Sequence, residues 1–410
     1  MLKQQAFRYQ LMPDGAAACA MRRTAGCRRW VMNTALRLQQ DHYAAGGKYI
    51  SYVDMAARLK EWRAASTTAW LKEAPFHTLQ QALRDLDKAF KNFFAKRAAF
   101  PKFRKKGHSD SFRFPDPVQF KIDEVKDRMF LPKLGWIRYR NSRQIAGEKR
   151  NLTISAKAGK WYASIQTRQE LPEPVPMSTT AIGIDVGVTH FVALSDGSFY
   201  NRPSLERHER NLKKYQRRMS RKKKFGKNWH KAKASVTRAY AQLTDARKDY
   251  SQKTSTTLSK NHALVAHEDL RIGNMTASAA GTVEQPGAQV AQKRALNKAI
   301  RNQAWGEFFS QLDYKLAWNG GYRIAIPPQY TSQTCPCCKE VDKASRKTRD
   351  HFLCTTCWYE NHADTVGAIN VLDRAYNILS CEGQDIARIA CEVNGVVMPS
   401  AAGTHRSDLP

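Results

Sequence analysis

A chain of 410 residues with 42% hydrophobic and 10% aromatic side chains is too long for one ordinary core and apolar enough to bury several, so two to four folded domains are expected and wholesale disorder is excluded. Sixty-eight Lys and Arg face 36 Asp and Glu, a formal net charge of +32. A compact chain carrying that excess repels itself, and a polyanion is the natural partner. No apolar run is long enough to span a membrane, and Pro13-Asp14-Gly15 interrupts the mildly apolar start, so the expectation is no membrane, no secretory leader and a reducing cytoplasm.

Residues 3–11 read as a strand ended by the turn signal Pro13-Asp14-Gly15. Residues 20–100 read as helical. Leu79, Leu83, Leu86, Phe90 and Phe93 recur at steps of four, three, four and three, one apolar face that is core, while the polar faces are free to meet nucleic acid. Tyr52, Gln80 and Gln81 fall on these segments with exposed polar character. Gln can pair with adenine through two hydrogen bonds, so the three are candidate readers of a short duplex motif, with ordinary surface residues as the alternative.

The segments 100–106 (FPKFRKK), 131–140, 152–157 and 160–168 are short and rich in β-formers, the pattern of a small β-barrel or sheet. Residues 171–180 are proline-rich and polar, a linker. Residues 181–200 read as two or three strands around glycine turns. From Arg202 to Arg238 the chain carries 15 Lys and Arg against two acids and reads as mostly helical through Lys260. Within it, Arg221, Lys222, Lys223 and Lys224 are a candidate grip on a nucleic-acid backbone, the alternative being a solvated helix face. Residues 262–268 (HALVAHE) form a buried strand and 277–289 a polar loop. One long amphipathic helix is expected next, with Ile300, Ala304, Phe308, Leu312 and Leu316 at steps of four. A strand at 322–326 and a last helix from near Asp364 complete the pattern. Nothing regular persists afterwards, so residues 381–410 are expected to be a loose tail.

Five of the nine cysteines lie between Cys335 and Cys357. Cys335, Cys338, Cys354 and Cys357 make two C-x2-C knuckles with 15 residues between them, the spacing of a structural zinc ribbon with four thiolate ligands. Cys337 reads as a spectator, and a redox pair in each knuckle is the alternative. Cys19, Cys27, Cys381 and Cys391 read as ordinary thiols.

Asp185 stands in AIGIDVGV, Glu268 ends HALVAHE and Asp364 opens NHADTVGAIN. Singly, Asp185 could be a turn residue, Glu268 a strand end rivalled by Asp269, and Asp364 a helix N-cap. Together, acids at the ends of buried strands in a basic protein call for a cation. Two Mg²⁺ held roughly 4 Å apart by carboxylates can cleave a phosphodiester. His190, His262, His267 and His362 lie near these motifs but have no metal-ligand spacing, and read as packing or surface residues.

The order GIDVGV, HEDLRIGNM, TSQTCPCC…CTTC and ADTVGAIN, preceded by RRWVMNTAL, KAFKNFF, FPKFRKK and LPKLGWIRYR, resembles the TnpB (OrfB) family of bacterial insertion sequences over roughly residues 1–380. It is similar, more distantly, to type V CRISPR effectors and Fanzor proteins. The resemblance implies a multidomain α+β chain. Residues 1–15 and 100–175 would form a split β-barrel wedge domain, with residues 16–99 as a helical recognition insertion. Residues 180–333 and 361–380 would form an RNase H-like RuvC nuclease domain, interrupted by the ribbon at 334–360. It implies a guide RNA from the transposon end, double-stranded target DNA cut beside a transposon-adjacent motif, two Mg²⁺ on Asp185, Glu268 and Asp364, and one Zn²⁺ on the four cysteines. The particle would be a monomeric ribonucleoprotein in the bacterial nucleoid. One departure stands out: where the family commonly has Asn, this chain has Val366.

Overall fold

Strand β1 (Leu2–Met12) buries Phe7, Tyr9 and Leu11 on one face, the two-residue period of a pleated strand with one side in a core. The computed structural model describes residues 1–381 and 404–405, so nearly all of the expected tail, Cys391 included, lies outside the described residues. The chain divides into two compact units, residues 1–171 with 218–241 and residues 172–217 with 242–410. Among the described residues no helix is long and apolar enough to cross a membrane.

In the first unit β1 is followed by helices α1 (Gly15–Ala44), α2 (Tyr52–Ala64) and α3 (Phe76–Phe94), with a 3-10 segment at Ser66–Glu73 between the last two. Strands β2 (Ser111–Phe114), β3 (Lys121–Asp123), β4 (Arg128–Leu131), β5 (Gly135–Tyr139), β6 (Glu148–Lys157) and β7 (Lys160–Glu170) follow. Seven strands form one antiparallel sheet in the order β2-β6-β7-β1-β5-β4-β3. The helices are therefore spliced between a central strand and its neighbours. The β6–β7 hairpin turns on Ala158 and Gly159, both with positive φ (52° and 83°). That is the backbone a two-residue turn needs to match strand twist.

Pro13-Asp14-Gly15 is a helix start rather than a turn: the Asp14 carboxylate accepts from the Ala17 amide at 2.7 Å, capping α1. On α3, Leu79, Leu83, Leu86 and Phe90 are buried against Val31, Leu36 and Leu59, as the apolar stripe predicts, while Phe93 stays half-buried at the helix end. Residues 100–106 are not a strand. Asn33 on α1 instead holds them in an irregular path, its amide donating to the Arg104 carbonyl at 3.0 Å and accepting from the Arg104 amide at 2.8 Å.

The second unit carries strands β8 (Ala181–Asp185), β9 (Val192–Leu194) and β10 (Phe199–Tyr200). Helices α4 (Glu206–Ser220) and α5 (Lys227–Asn261) contribute residues to both units. Then come β11 (Leu264–Glu268), α6 (Ile272–Met275), α7 (Val290–Gln303), α8 (Trp305–Trp318) and β12 (Tyr322–Ile326). A small sheet follows, of β13 (His351–Leu353), β14 (Tyr359–His362) and β15 (Thr404–His405), with α9 (Ala363–Cys381) continuing directly from β14. The main sheet has the order β10-β9-β8-β11-β12, in which β8, β11 and β12 run parallel while β9 and β10 are antiparallel.

The expected single helix through Ala304 is broken there. Ala304 adopts a left-handed φ of 53°, ending α7 and starting α8. The half-buried Arg202 guanidinium takes up the carbonyls this frees, donating to Asn302 O at 2.9 Å and Gln303 O at 2.5 Å.

Candidate active site and metal centre

Asp185 is the last residue of β8 and Glu268 the last of β11. His267 pairs with Ile184 across these parallel strands, so the two acids stand at the same level, one rung further on. Asp364 is in the first turn of α9, which packs across β8 at very close range. A Cβ on Gly183 would lie 2.0 Å from the Ala368 carbonyl oxygen. The glycines of AIGID and TVGAIN thus have a steric reason: a Cβ on Gly367 would lie 3.3 Å from Asp185 Oδ2, and one on Gly187 3.9 Å from Asp364 Oδ2. The three carboxylates share one end of the sheet, and Asp269, the rival of Glu268, is exposed.

Their electrostatics show a cluster short of positive charge. Burial, then the fields of Glu268 and Asp364, push the Asp185 carboxyl up to about 8, against a lowering pull from Arg346 and the Val186 amide. Glu268 is also pushed up by burial, opposed by a hydrogen bond from the Thr331 hydroxyl and by Arg374 and Arg346. Arg346 thus acts on both acids, and no motif or spacing marks it in the sequence. Three such oxygen donors could hold a divalent cation. The donor set suits Mg²⁺.

His267 is buried between Arg323 and a stacked Phe309 ring 4.1 Å away. It hydrogen-bonds the Glu268 carbonyl oxygen at 2.6 Å, and burial pushes it down to about 4. His362 accepts from the Asp364 amide at 3.2 Å, and His190 packs 5.5 Å from it. These histidines pack around the acids, while His262 meets the Thr180 hydroxyl at 2.9 Å.

The ligand atoms of Cys335, Cys338, Cys354 and Cys357 all lie within 4.8 Å of one another. Cys335 and Cys357 are 3.5 Å apart, Cys338 and Cys354 3.6 Å. Four thiolates about 2.3 Å from a tetrahedral Zn²⁺ would stand about 3.8 Å apart, so the set fits that ion. Cys354 Sγ accepts from the amides of Thr356 and Cys357, both at 3.4 Å. Cys337 is exposed beside the cluster. Among the described residues no other group of three or more His, Cys, Asp or Glu is drawn together in this way, so the three carboxylates do not reach that spacing. Val366, 0% exposed, packs into the ribbon core with Cys335, Phe352, Cys354 and Tyr359. The final Asn370 donates to the carbonyls of Thr331 at 2.8 Å and Thr334 at 2.7 Å.

The candidate nucleic-acid contacts fare differently. Arg221, Lys222, Lys223 and Lys224 are exposed, in the turn between α4 and α5 rather than on a helix. Aromatic side chains interleave there: Lys224 lies 5.2 Å from the Phe225 ring and Lys233 5.2 Å from Trp229. Tyr52, Gln80 and Gln81 are half-buried rather than exposed. The Tyr52 hydroxyl accepts from Arg84 at 3.2 Å, and the Gln81 amide donates to Asp85 at 2.9 Å. For Tyr52 and Gln81, neighbouring side chains take polar groups that a helical wheel leaves facing outward.

Three family descriptions match the chain: "Probable transposase" over residues 164–279, "Cas12f1-like, TNB domain" over 305–371, and "Helix-turn-helix domain" over 1–48, the last of which here holds β1 and α1. The chain is 47% identical to the "Putative RNA-guided DNA endonuclease InsQ" of Escherichia coli (strain K12), over 93% of this chain and 94% of the relative. It is 34% identical to a "Putative RNA-guided DNA endonuclease" of Streptomyces pristinaespiralis, over 92% of this chain and 91% of the relative. Among solved structures, that of the Cas12f1-sgRNA-target DNA complex is similar with a TM-score of 0.53 at 11% identity, covering 90% of this chain and 98% of that one, a likeness of fold.

Proposed function

Because the chain belongs to the TnpB (OrfB) family, we propose that it is an RNA-guided DNA endonuclease. A guide RNA from the transposon end directs it to double-stranded DNA, which it cuts beside a short transposon-adjacent motif. The observation that carries this reading is the meeting of Asp185, Glu268 and Asp364 at one end of the five-stranded sheet, in a chain of net charge +32.

We read that sheet, with α9, as an RNase H-like RuvC core: its mixed order, with β8 central, supports this. The seven-stranded sheet is the split wedge barrel, α1–α3 the recognition insertion, and residues 334–360 the zinc ribbon. Asp185, Glu268 and Asp364 would hold two Mg²⁺, which when bound supply Lewis-acid activation of water and of the leaving oxygen. The chain's own residues set the geometry. Parallel β8 and β11 fix the spacing of two acids. Thr331 orients one Glu268 oxygen. Arg346 offsets the acids' charge and draws the scissile phosphate towards them. Asp185 must lose the proton that its surroundings favour before it can take a cation. The particle is a monomeric ribonucleoprotein of the bacterial cytoplasm.

The test is to sequence the RNA that co-purifies with the protein, then supply it with plasmid DNA carrying the matching target in Mg²⁺. A discrete element-end transcript and linear plasmid are expected. Guided binding without cutting overturns the nuclease reading in favour of a repressor, and DNA ends joined to a second molecule turn it to strand transfer.

A further inference from the structure

One face of α1 and the 3-10 segment Ser66–Glu73 line a cleft of about 490 Å³ in the first unit. Trp70, 40% exposed, forms one wall. Trp30 stands edge-on to it at 5.5 Å and is itself braced by Trp62 at 5.7 Å. The floor is Gly26, where an added Cβ would meet only the tip of Arg29, at 3.7 Å. Arg23 lines the rim, in an exposed and therefore weak pair with Glu73 at 3.4 Å.

Asn33 closes one end, and its amide is spent at both atoms on the Arg104 main chain. That bond has two consequences. The cleft loses an amide that could read a base edge. The same bond fixes the strongly basic run Lys102, Arg104, Lys105 and Lys106 beside the cleft.

We propose that this cleft receives an unpaired nucleobase from a single-stranded stretch of nucleic acid, its phosphates running along residues 102–106. Tryptophan walls and a glycine floor beside the Arg29 guanidinium suit the flat face of a base, and the flanking cations suit the phosphates on either side of it. Stacking dominates such a pocket and depends little on base identity. The inference rests on the reading that nucleic acid is the partner, but not on cleavage. The base can come from the guide RNA or from displaced DNA, since both offer the same face.

The test uses the full-length protein with fluorescein-labelled oligo(rA) and oligo(dA) of about 12 nucleotides and a DNA duplex of the same length, read by anisotropy. Gly26→Leu fills the floor while improving helix propensity, and Trp70→Ala removes a wall. Each should weaken single-strand binding about tenfold while duplex binding changes less than about twofold, and Trp70→Phe should stay near the parent. Whichever strand loses more affinity identifies the source of the base. Unchanged single-strand binding in Gly26→Leu, with an unaltered melting temperature, overturns the proposal, as does an equal loss on duplex. Either failure with guided cleavage intact leaves the nuclease reading standing.

Discussion

Asp185 is where charge, sterics and chemistry meet. It faces two other carboxylates and a glycine, and its carboxyl sits at about 8 without a cation. Asp185→Ala should lower guided cleavage by at least about 10²–10³-fold and leave RNA and target binding intact, as read by gel shift beside a cleavage assay. The pH dependence has a definite sign. A carboxyl raised from about 4 in the unfolded chain to about 8 in the fold holds its proton more tightly when folded. Its stabilising contribution is full below about pH 4 and is lost as pH climbs to about 8. The melting temperature of metal-free protein should therefore fall over that window, Asp185→Asn should flatten the fall, and Mg²⁺ should raise the wild-type value most at the alkaline end. A fall of equal steepness in Asp185→Asn would assign the effect elsewhere. The three acids were legible in the sequence because each ends or opens an apolar run. Arg346 was not, because only the folded ribbon brings it near them. Nor could a helical wheel show that Gln81 is taken by Asp85.

The strands and helices followed their periodicity where local pattern and packing agree, as on β1 and α3. They departed from it at Ala304, a strong helix former in an unbroken four-residue repeat, where Arg202, distant in sequence, accommodates the break. Residues 100–106 contain β-formers yet have no strand partner, and within them Asn33 takes both main-chain groups of Arg104. The contact between β8 and α9 gives a sharper expectation. Gly183→Ala would force a Cβ to 2.0 Å from a backbone oxygen that has nowhere to go. It should cost about 3 kcal/mol, measurable as a lower denaturation midpoint, and reduce cleavage because Asp364 rides on the same helix. In the ribbon, Cys354→Ser should leave less than one zinc per chain by metal analysis under reducing conditions, with faster amide exchange over residues 335–362. Stoichiometric zinc in that variant would mean that the four-thiolate site has been misassigned.

Across the whole molecule the excess of 68 basic over 36 acidic residues makes binding to nucleic acid a matter of counterion release. Each phosphate contact contributes about 0.7–0.9 to the slope of log affinity against log salt. Replacing Arg221, Lys222, Lys223 and Lys224 with Gln should reduce that slope by about 3 if all four touch phosphate. An unchanged slope would make them a solvated turn. The four-cysteine cluster and the candidate catalytic acids are also joined through one stretch of chain. The last ribbon strand, β14, ends at His362, and α9 begins at Ala363, one residue before Asp364. Val366 on that helix packs among the cysteines while Gly367 faces Asp185. Nothing flexible separates the two sites, so whatever loosens the sulfur cluster also displaces a carboxylate. A thiol oxidant or a chelator acting on the four cysteines should therefore lower DNA cutting while leaving the three carboxylates chemically untouched, which would couple that activity to the metal and redox state of the cell.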